Sequence, residues 1–310
     1  MSQHAPTRLI WLKNHAPQLA LILITLIWGG TFLAVQFALN FSSPLFFVGC
    51  RFAAATLAVG LLSMQALKNI SLNDIIAGAA IGLCISIGYA TQTVGLQSIS
   101  SSESAFLTAL YVPLVPILLW FILRKTPALM TWAGVILAFI GLVLLTGNQL
   151  GQISFNFGQA ITLFGSIAIA LEIVLIGYFS TRVNLACVTV LQLAFASIIS
   201  FALMPLNGEY QLPAFSWPLL SITLGLGLAS AVIQMVMNWA QRSVDPAQAA
   251  IIYAGEPVWA GIFGRIAGER LPASALIGGV LVVLAVIISQ LKPRFLKQKA
   301  VNAPKHELDH

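Results

Sequence analysis

Residues 18–38 read QLALILITLIWGGTFLAVQFA, an apolar run without an ionisable side chain. A helix needs roughly 20 such residues to cross a hydrocarbon core about 30 Å thick. Nine further apolar runs follow, at 45–64, 74–97, 104–124, 130–147, 157–178, 185–206, 217–240, 247–266 and 272–291. Turn and cap chemistry separates them, as in Asn40-Phe41-Ser42-Ser43-Pro44, Ser100-Ser101-Ser102-Glu103, Asn207-Gly208-Glu209 and Gly268-Glu269-Arg270. Composition agrees, with 59% apolar and 8% charged residues, against roughly 25% charged in a soluble domain. Lipid is the natural solvent for such a chain. The expected fold is an all-α polytopic membrane protein of ten transmembrane helices. The first run follows a basic segment, has full span length and lacks a small-x-small exit, so it reads as an uncleaved first helix.

The net charge of +6 sits largely in the tails, at Arg8, Lys13, Lys292, Arg294, Lys297, Lys299 and Lys305. This placement suits anchoring at a membrane rather than nucleic-acid binding. With a cytoplasmic N-terminus, Lys68, Arg124, Lys125, Arg182 and Arg242 also fall inside, and only Arg265 and Arg270 fall outside. The bias predicts a multi-pass protein of a bacterial-type inner membrane with both termini cytoplasmic. Cys50, Cys84 and Cys187 lie in apolar spans without a C-x-x-C pair, and His4, His15, His306 and His310 lie in the tails. No metal site, cofactor or disulfide framework is expected from that distribution. H-E-x-x-H, G-x-S-x-G and Walker-type glycine loops are all missing, which argues against an enzyme and against ATP-driven movement.

Shifting the chain by 144 residues aligns Gln97 with Gln241, Ala105 with Ala249, Pro113 with Pro257, Gly134 with Gly278 and Leu137 with Leu281. Two five-span halves follow, 18–147 and 157–291, between tails at 1–17 and 292–310. Five is odd, so the halves are expected to be inverted repeats, with a solute site near the midplane between them.

Trp28-Gly29-Gly30-Thr31-Phe32, Arg51-Phe52 and Tyr253-Ala254-Gly255-Glu256-Pro257-Val258-Trp259-Ala260 carry a resemblance. They are similar to the W-G-S/G-x-F, R-F and E-P-V-x-A signatures of the drug/metabolite transporters of the EamA type. The likeness runs from about residue 18 to 292. The counterpart of the last segment is Val112-Pro113-Leu114-Val115-Pro116, where Val112 replaces the glutamate. The resemblance implies a ten-helix transporter, often an exporter of amino acids, other metabolites or drugs. Glu172 is a departure from that pattern.

Arg51, Glu172 and Glu256 lie inside spans, where each charge costs about 2.5–3.5 kcal/mol on insertion scales. A carboxyl reduces that cost by holding a proton. Glu172 suits proton coupling or recognition of a cation; the alternative is a protonated carboxyl bonded to a neighbouring helix. Glu256 either lines a cavity or serves the backbone at Pro257. Tyr253 lies three residues earlier, on the same helical face. Arg51 is about seven residues into its span, roughly 10 Å at 1.5 Å per residue. It can bind a carboxylate, pair with a glutamate or hold helix-end carbonyls. Gln92, Gln192, Gln234 and Asn238 line a pathway or join helices. Trp28, Tyr89, Phe106, Tyr111, Tyr253 and Trp259 offer an aromatic wall or ordinary packing. Pro113, Pro116 and Pro257 are hinge candidates. Gly78-Ala79-Ala80-Ile81-Gly82, Gly134, Gly141 and Gly278-Gly279 suit close helix approach, within a monomer or across a homodimer.

The expected activity is secondary active transport of a small molecule, outward, with amino acids the first solute class and proton coupling through Glu172. Efflux of drugs or lipophilic cations is the alternative. A channel or a non-transporting scaffold is the reading of another class. A scaffold does not need buried carboxyls. Glu172→Gln with Glu256→Gln therefore abolishes the activity of a carrier in cells, and full activity in that double variant would identify a scaffold.

Overall fold

The computed structural model describes residues 7–124, 129–145 and 155–289. Its helices in chain order are α1 (Thr7–Ala38), α2 (Pro44–Leu62), α3 (Leu72–Gly95), α4 (Ser101–Thr108), α5 (Tyr111–Leu123), α6 (Leu129–Leu145), α7 (Phe157–Phe179), α8 (Leu185–Leu203), α9 (Trp217–Ala240), α10 (Pro246–Tyr253), α11 (Glu256–Ile266) and α12 (Ala273–Ser289). Short 3-10 turns occupy Ala66–Asn69 and Met204–Asn207, and no strand occurs among the described residues.

Seven helical stretches are long and apolar enough to cross a membrane: His15–Ala38, Pro44–Leu62, Leu72–Gly95, Ser101–Ile122, Phe157–Phe179, Leu185–Asn207 and Trp217–Ala240. They answer to seven of the ten expected spans. The other three are helical but short, because α6 and α12 have 17 described residues each and the span at 247–266 is divided into α10 and α11. Helix α1 begins at Thr7, ahead of the expected start at 18. The C-terminal tail and the loop at 146–154 lie outside the described residues.

Several helix starts carry side-chain caps. Ser71 with Asp74 and Asn156 with Gln159 form capping boxes on α3 and α7. Each box satisfies backbone donors that the first turn leaves free. Pro44 and Pro218 sit in first turns, where no N–H is needed.

Packing between the halves is symmetric under their exchange. Helix α3 packs on α7 and α8, and its counterpart α9 packs on α1 and α2. Helix α1 packs on α10 and α11, and α7 on α4 and α5; α2 meets α8, and α6 meets α12. Small residues permit these approaches. A Cβ on Gly82 would lie 2.6 Å from the Gln192 carbonyl oxygen and 2.7 Å from Phe195 Cβ, and one on Gly78 would lie 2.5 Å from Leu191 Cβ. A Cβ on Gly141 would stand 2.8 Å from the Gly278 carbonyl oxygen. The small-residue motifs thus serve contacts within one chain.

Burial is reversed relative to a soluble protein. Leu23, Leu57, Leu61, Leu83 and Ile136 are exposed on the outside, while Arg51, Glu172, Gln192, Gln234 and Glu256 are buried. Lipid tails reward the first group, and the second must find partners inside.

Gly82→Ala forces α3 from α8. It should cost about 1–3 kcal/mol, as overpacking does, and lower the melting temperature of the purified protein. Gly60→Ala meets nothing within 4 Å and should leave the melting temperature equal or higher, since alanine is the better helix former.

Candidate functional site

Two spans are broken at matching depths. The span at 104–124 stops at Thr108 and resumes at Tyr111; the span at 247–266 stops at Tyr253 and resumes at Glu256. The breaks agree within one residue with the 144-residue offset. Proline is the cause. Pro113 and Pro257 lack an N–H, and their rings press on the carbonyl four residues back. The chain responds with tighter turns, Val112 N–H to the Ala109 carbonyl at 3.0 Å and Gly255 N–H to that of Ile252 at 3.1 Å. Pro116 lies inside α5, past the break. The expectation of a Tyr253–Glu256 stripe on one continuous helix is corrected here: both are buried at the same centre, but α10 ends on one and α11 begins with the other.

The breaks face each other. Tyr111 donates its hydroxyl to Glu256 Oε2 at 3.0 Å. Trp28 of α1 fills the space beside them. Its ring lies nearly parallel to Tyr89 and Tyr111, with centroids 6.4 Å away in both cases, and edge-on to Tyr253 at 5.8 Å. Gly29 allows α1 to come this close, because a Cβ there would fall 2.7 Å from the Glu256 carbonyl oxygen. Gln241 donates to the Tyr253 hydroxyl at 3.3 Å.

A second cluster adjoins the first. Gln192 Nε2 donates to Gln234 Oε1 at 2.7 Å, and Gln234 Nε2 donates to Glu172 Oε1 at 2.8 Å. This directed chain ties α8 and α9 to α7. Tyr89 connects the clusters, since Trp28 stacks on it and Arg51 lies against its ring. Arg51 pairs with neither glutamate. Its Nε donates to Ser230 Oγ at 2.7 Å, and its guanidinium carbon lies 5.1 Å from the Tyr89 ring centre and 5.7 Å from that of Phe52. Those distances fit cation–π contact.

Several buried polar atoms at this centre have no protein partner: Trp28 Nε1, Arg51 Nη2, Glu172 Oε2, Glu256 Oε1, Gln192 Oε1 and Gln241 Oε1. An unpaired buried group costs about 1–3 kcal/mol. Functional sites are where such a cost is tolerated. The set offers N–H donors to a carboxylate and carboxyl oxygens to an ammonium, between aromatic faces.

Of the sequence candidates, Trp28, Arg51, Tyr111, Glu172, Gln192, Gln234, Tyr253 and Glu256 thus share one centre. Gln92 and Asn238 are held elsewhere. Gln92 donates to Thr108 Oγ1 at 3.2 Å; Asn238 donates to Thr189 Oγ1 at 3.1 Å and to the Gln234 carbonyl at 2.9 Å. The bonds to Thr108 and Thr189 join helices, and the one to the Gln234 carbonyl stays within α9. Phe106 packs against Gly279, and Trp259 against Gly29, outside the ring around Trp28. Ser230 and Gln241 were not singled out from the sequence. The signal was a polar stripe on α9 and its end, Ser230, Gln234, Asn238 and Gln241, at helical spacing. Among the described residues, no three His, Cys, Asp or Glu side chains come together as metal ligands would.

Tyr111→Phe removes the only donor to the Glu256 carboxyl among the described residues. Stability should fall by about 1–3 kcal/mol, the cost of an orphaned buried acceptor. In Glu256→Gln the same substitution should cost distinctly less, and the difference is read as a double-mutant cycle on melting temperature and transport.

Residues 16–147 and 156–291 each match the EamA-like transporter family. A protein of Archaeoglobus fulgidus described as an uncharacterized transporter is 32% identical over 281 residues, covering 90% of this chain and 87% of the relative. The Escherichia coli uncharacterized inner membrane transporter YedA is 27% identical over 293 residues, covering 92% and 94%. A solved crystal structure superposes with a TM-score of 0.65 at 18% identity, covering 91% of this chain and 98% of the other. That last likeness concerns the fold.

Proposed function

The chain belongs to the EamA-like transporter family and is a multi-pass membrane transporter, and from that premise we propose a secondary active carrier that exports small zwitterionic metabolites of the amino-acid type across an inner membrane. The name of the E. coli relative supports that membrane. Ten spans in two inverted halves are part of the proposal. Three features favour it: the exchange symmetry of the packing, the matched helix breaks, and 17-residue helices α6 and α12, which reach the lower limit of a spanning helix.

The observation that carries the reading is the buried, incompletely paired set at the breaks. Trp28 Nε1 and Arg51 Nη2 are free donors, and Glu172 Oε2 and Glu256 Oε1 are free acceptors. A solute carboxylate completes the first pair and a solute ammonium the second. An aliphatic or aromatic side chain would lie against Trp28, Tyr89 and Tyr253. Discontinuous helices around a midplane site are a recurring device of inverted-repeat carriers, because half-helices can tilt without breaking further backbone bonds.

Proton coupling follows from Glu172. Its carboxyl is held by Gln234 on one oxygen and unpartnered on the other. An ammonium and a proton cannot both neutralise it. Solute binding releases the proton, and solute departure on the other side permits rebinding. The four-ring aromatic set with two carboxyls also favours efflux of lipophilic cations. Arg51 beside Tyr89 opposes that second reading, since a cation that brings no carboxylate leaves the guanidinium unpaired and is repelled by it.

The test is transport in liposomes under a pH gradient, with labelled amino acids and a labelled lipophilic cation offered in parallel. An amino acid is expected to be driven by the gradient, and in Glu172→Gln its accumulation should collapse to the equilibrium level. Uptake that ignores the gradient and is unchanged in Glu172→Gln removes Glu172 from the mechanism. Movement of the cation alone transfers the site to the second reading.

A further inference from the structure

Helix α4 leads directly to the break at Tyr111, and its start is held by the other repeat. Glu269 Oε1 accepts from Ser101 N–H at 2.9 Å and from Ser101 Oγ at 2.6 Å; Oε2 accepts from Ser102 N–H at 3.2 Å and from Ser102 Oγ. Ser100 Oγ accepts from Glu103 N–H at 3.2 Å. All three first-turn N–H groups of α4 are thereby satisfied, two of them across the repeats. A carboxylate at this position also complements the positive end of the helix. Gly264 makes room, since a Cβ there would strike Ser102 Oγ and the Glu269 carboxyl.

Two other carboxylates accept backbone N–H groups across the repeats at helix starts, and a side-chain tie, Gln159 Nε2 donating to Glu103 Oε1 at 2.6 Å, joins the starts of α7 and α4. Glu209 accepts from Leu45 and Phe46 N–H on α2, at 2.9 and 3.0 Å. Asp74 accepts from Asn184 N–H, at the start of α8, at 2.8 Å. Helices α2 and α8 are counterparts, so these two contacts mirror each other. Among the described residues the Glu269 contact has no such mirror. The counterpart of α4 is α10, whose first turn is capped by its own Asp245, through Ala247 N–H at 2.9 Å. The loop that corresponds to Glu269 reads Arg124-Lys125-Thr126-Pro127-Ala128 and contains no carboxylate.

In a carrier built of inverted repeats, the two access states exchange the conformations of the repeats. Contacts present in both repeats persist through the cycle. A contact present in one repeat belongs to one state. We propose that Glu269 is a positioning residue of the transport cycle: its carboxylate holds the start of α4 and shuts the site on that face, and it releases α4 when that face opens. Glu209, on the same face, is a permanent tie. The proposal rests on the inverted-repeat reading above and is independent of solute and of proton coupling.

The test uses the full-length chain with its three free cysteines (Cys50, Cys84 and Cys187) replaced by alanine and Ser104→Cys added as a reporter. Ser104 is buried one turn below the latch on α4. A membrane-impermeant maleimide is applied from each side in turn. Glu269→Ala should raise the labelling rate about tenfold or more from the Glu269 face, roughly the worth of one lost charge-assisted hydrogen bond. Labelling from the opposite face should not rise, and Glu209→Ala should raise neither. Glu269→Gln, which keeps the shape, should move in the same direction and serves if the alanine variant does not fold. An unchanged rate, a rise from both faces, or an equal rise in Glu209→Ala overturns the proposal. Cysteines at exposed Asn40 and Arg182, after the first helix of each repeat, test the frame separately. Inverted repeats place them on opposite sides, and labelling of both from one side defeats the inverted reading rather than the latch.

Discussion

Proline denies a helix one hydrogen bond, and at Pro113 and Pro257 the two spans break beside it. Everything at the centre depends on that constraint. A continuous helix would carry Tyr111 and Glu256 past each other on packed surfaces. Broken at Thr108 and Tyr253, the two spans instead present the first residues of α5 and α11 to one another, joined by the Tyr111–Glu256 hydrogen bond. Trp28 then has a place to stack, and Gly29 lets its helix approach close enough to do so. The two breaks also leave each span without a continuous backbone ladder at that depth.

Membrane burial sorts the remaining polar groups by cost. A charge in hydrocarbon is expensive, so Arg51, Glu172 and Glu256 lie inward among amides, hydroxyls and aromatic rings. Partial pairing distinguishes them from a purely structural network. Gln92 with Thr108 and Asn238 with Thr189 make direct helix-to-helix bonds, whereas the glutamates and Arg51 each retain an unmatched atom. The first group gives stiffness to the scaffold. The second leaves polar atoms unpaired, as the proposed solute site requires. At the helix ends the logic changes to capping, where carboxylates from one repeat satisfy N–H groups of the other, so that the same bonds that finish a helix also fasten the halves together.

Much of this was legible in the sequence because the signals are local. Apolar length and charge asymmetry define spans, and proline and glycine announce where helices bend or touch. The expensive residues also identified themselves: eight of the ten binding candidates share one centre. One misreading came from placing Tyr253 and Glu256 on one helical face, and two open alternatives, Gln92 and Asn238, were settled as bonds between helices. Tyr253 and Glu256 are three residues apart, yet they belong to different helices. Gln92 and Asn238 carry the same amide chemistry as Gln192 and Gln234, yet they point to other partners.

The sequence by itself determined the solvent, the all-helical class, the two-repeat plan and the residues worth burying at a cost. These properties depend on composition, period and offset, which a chain displays without folding. Only the tertiary structure decided which polar atoms stay unpaired, which glutamine reaches Glu172, and that Glu269 grips α4 while α10 is capped by its own Asp245. Each of those is a distance between segments far apart in the chain. Such distances depend on how helices cross and how deeply they pack, and helical periodicity does not specify either.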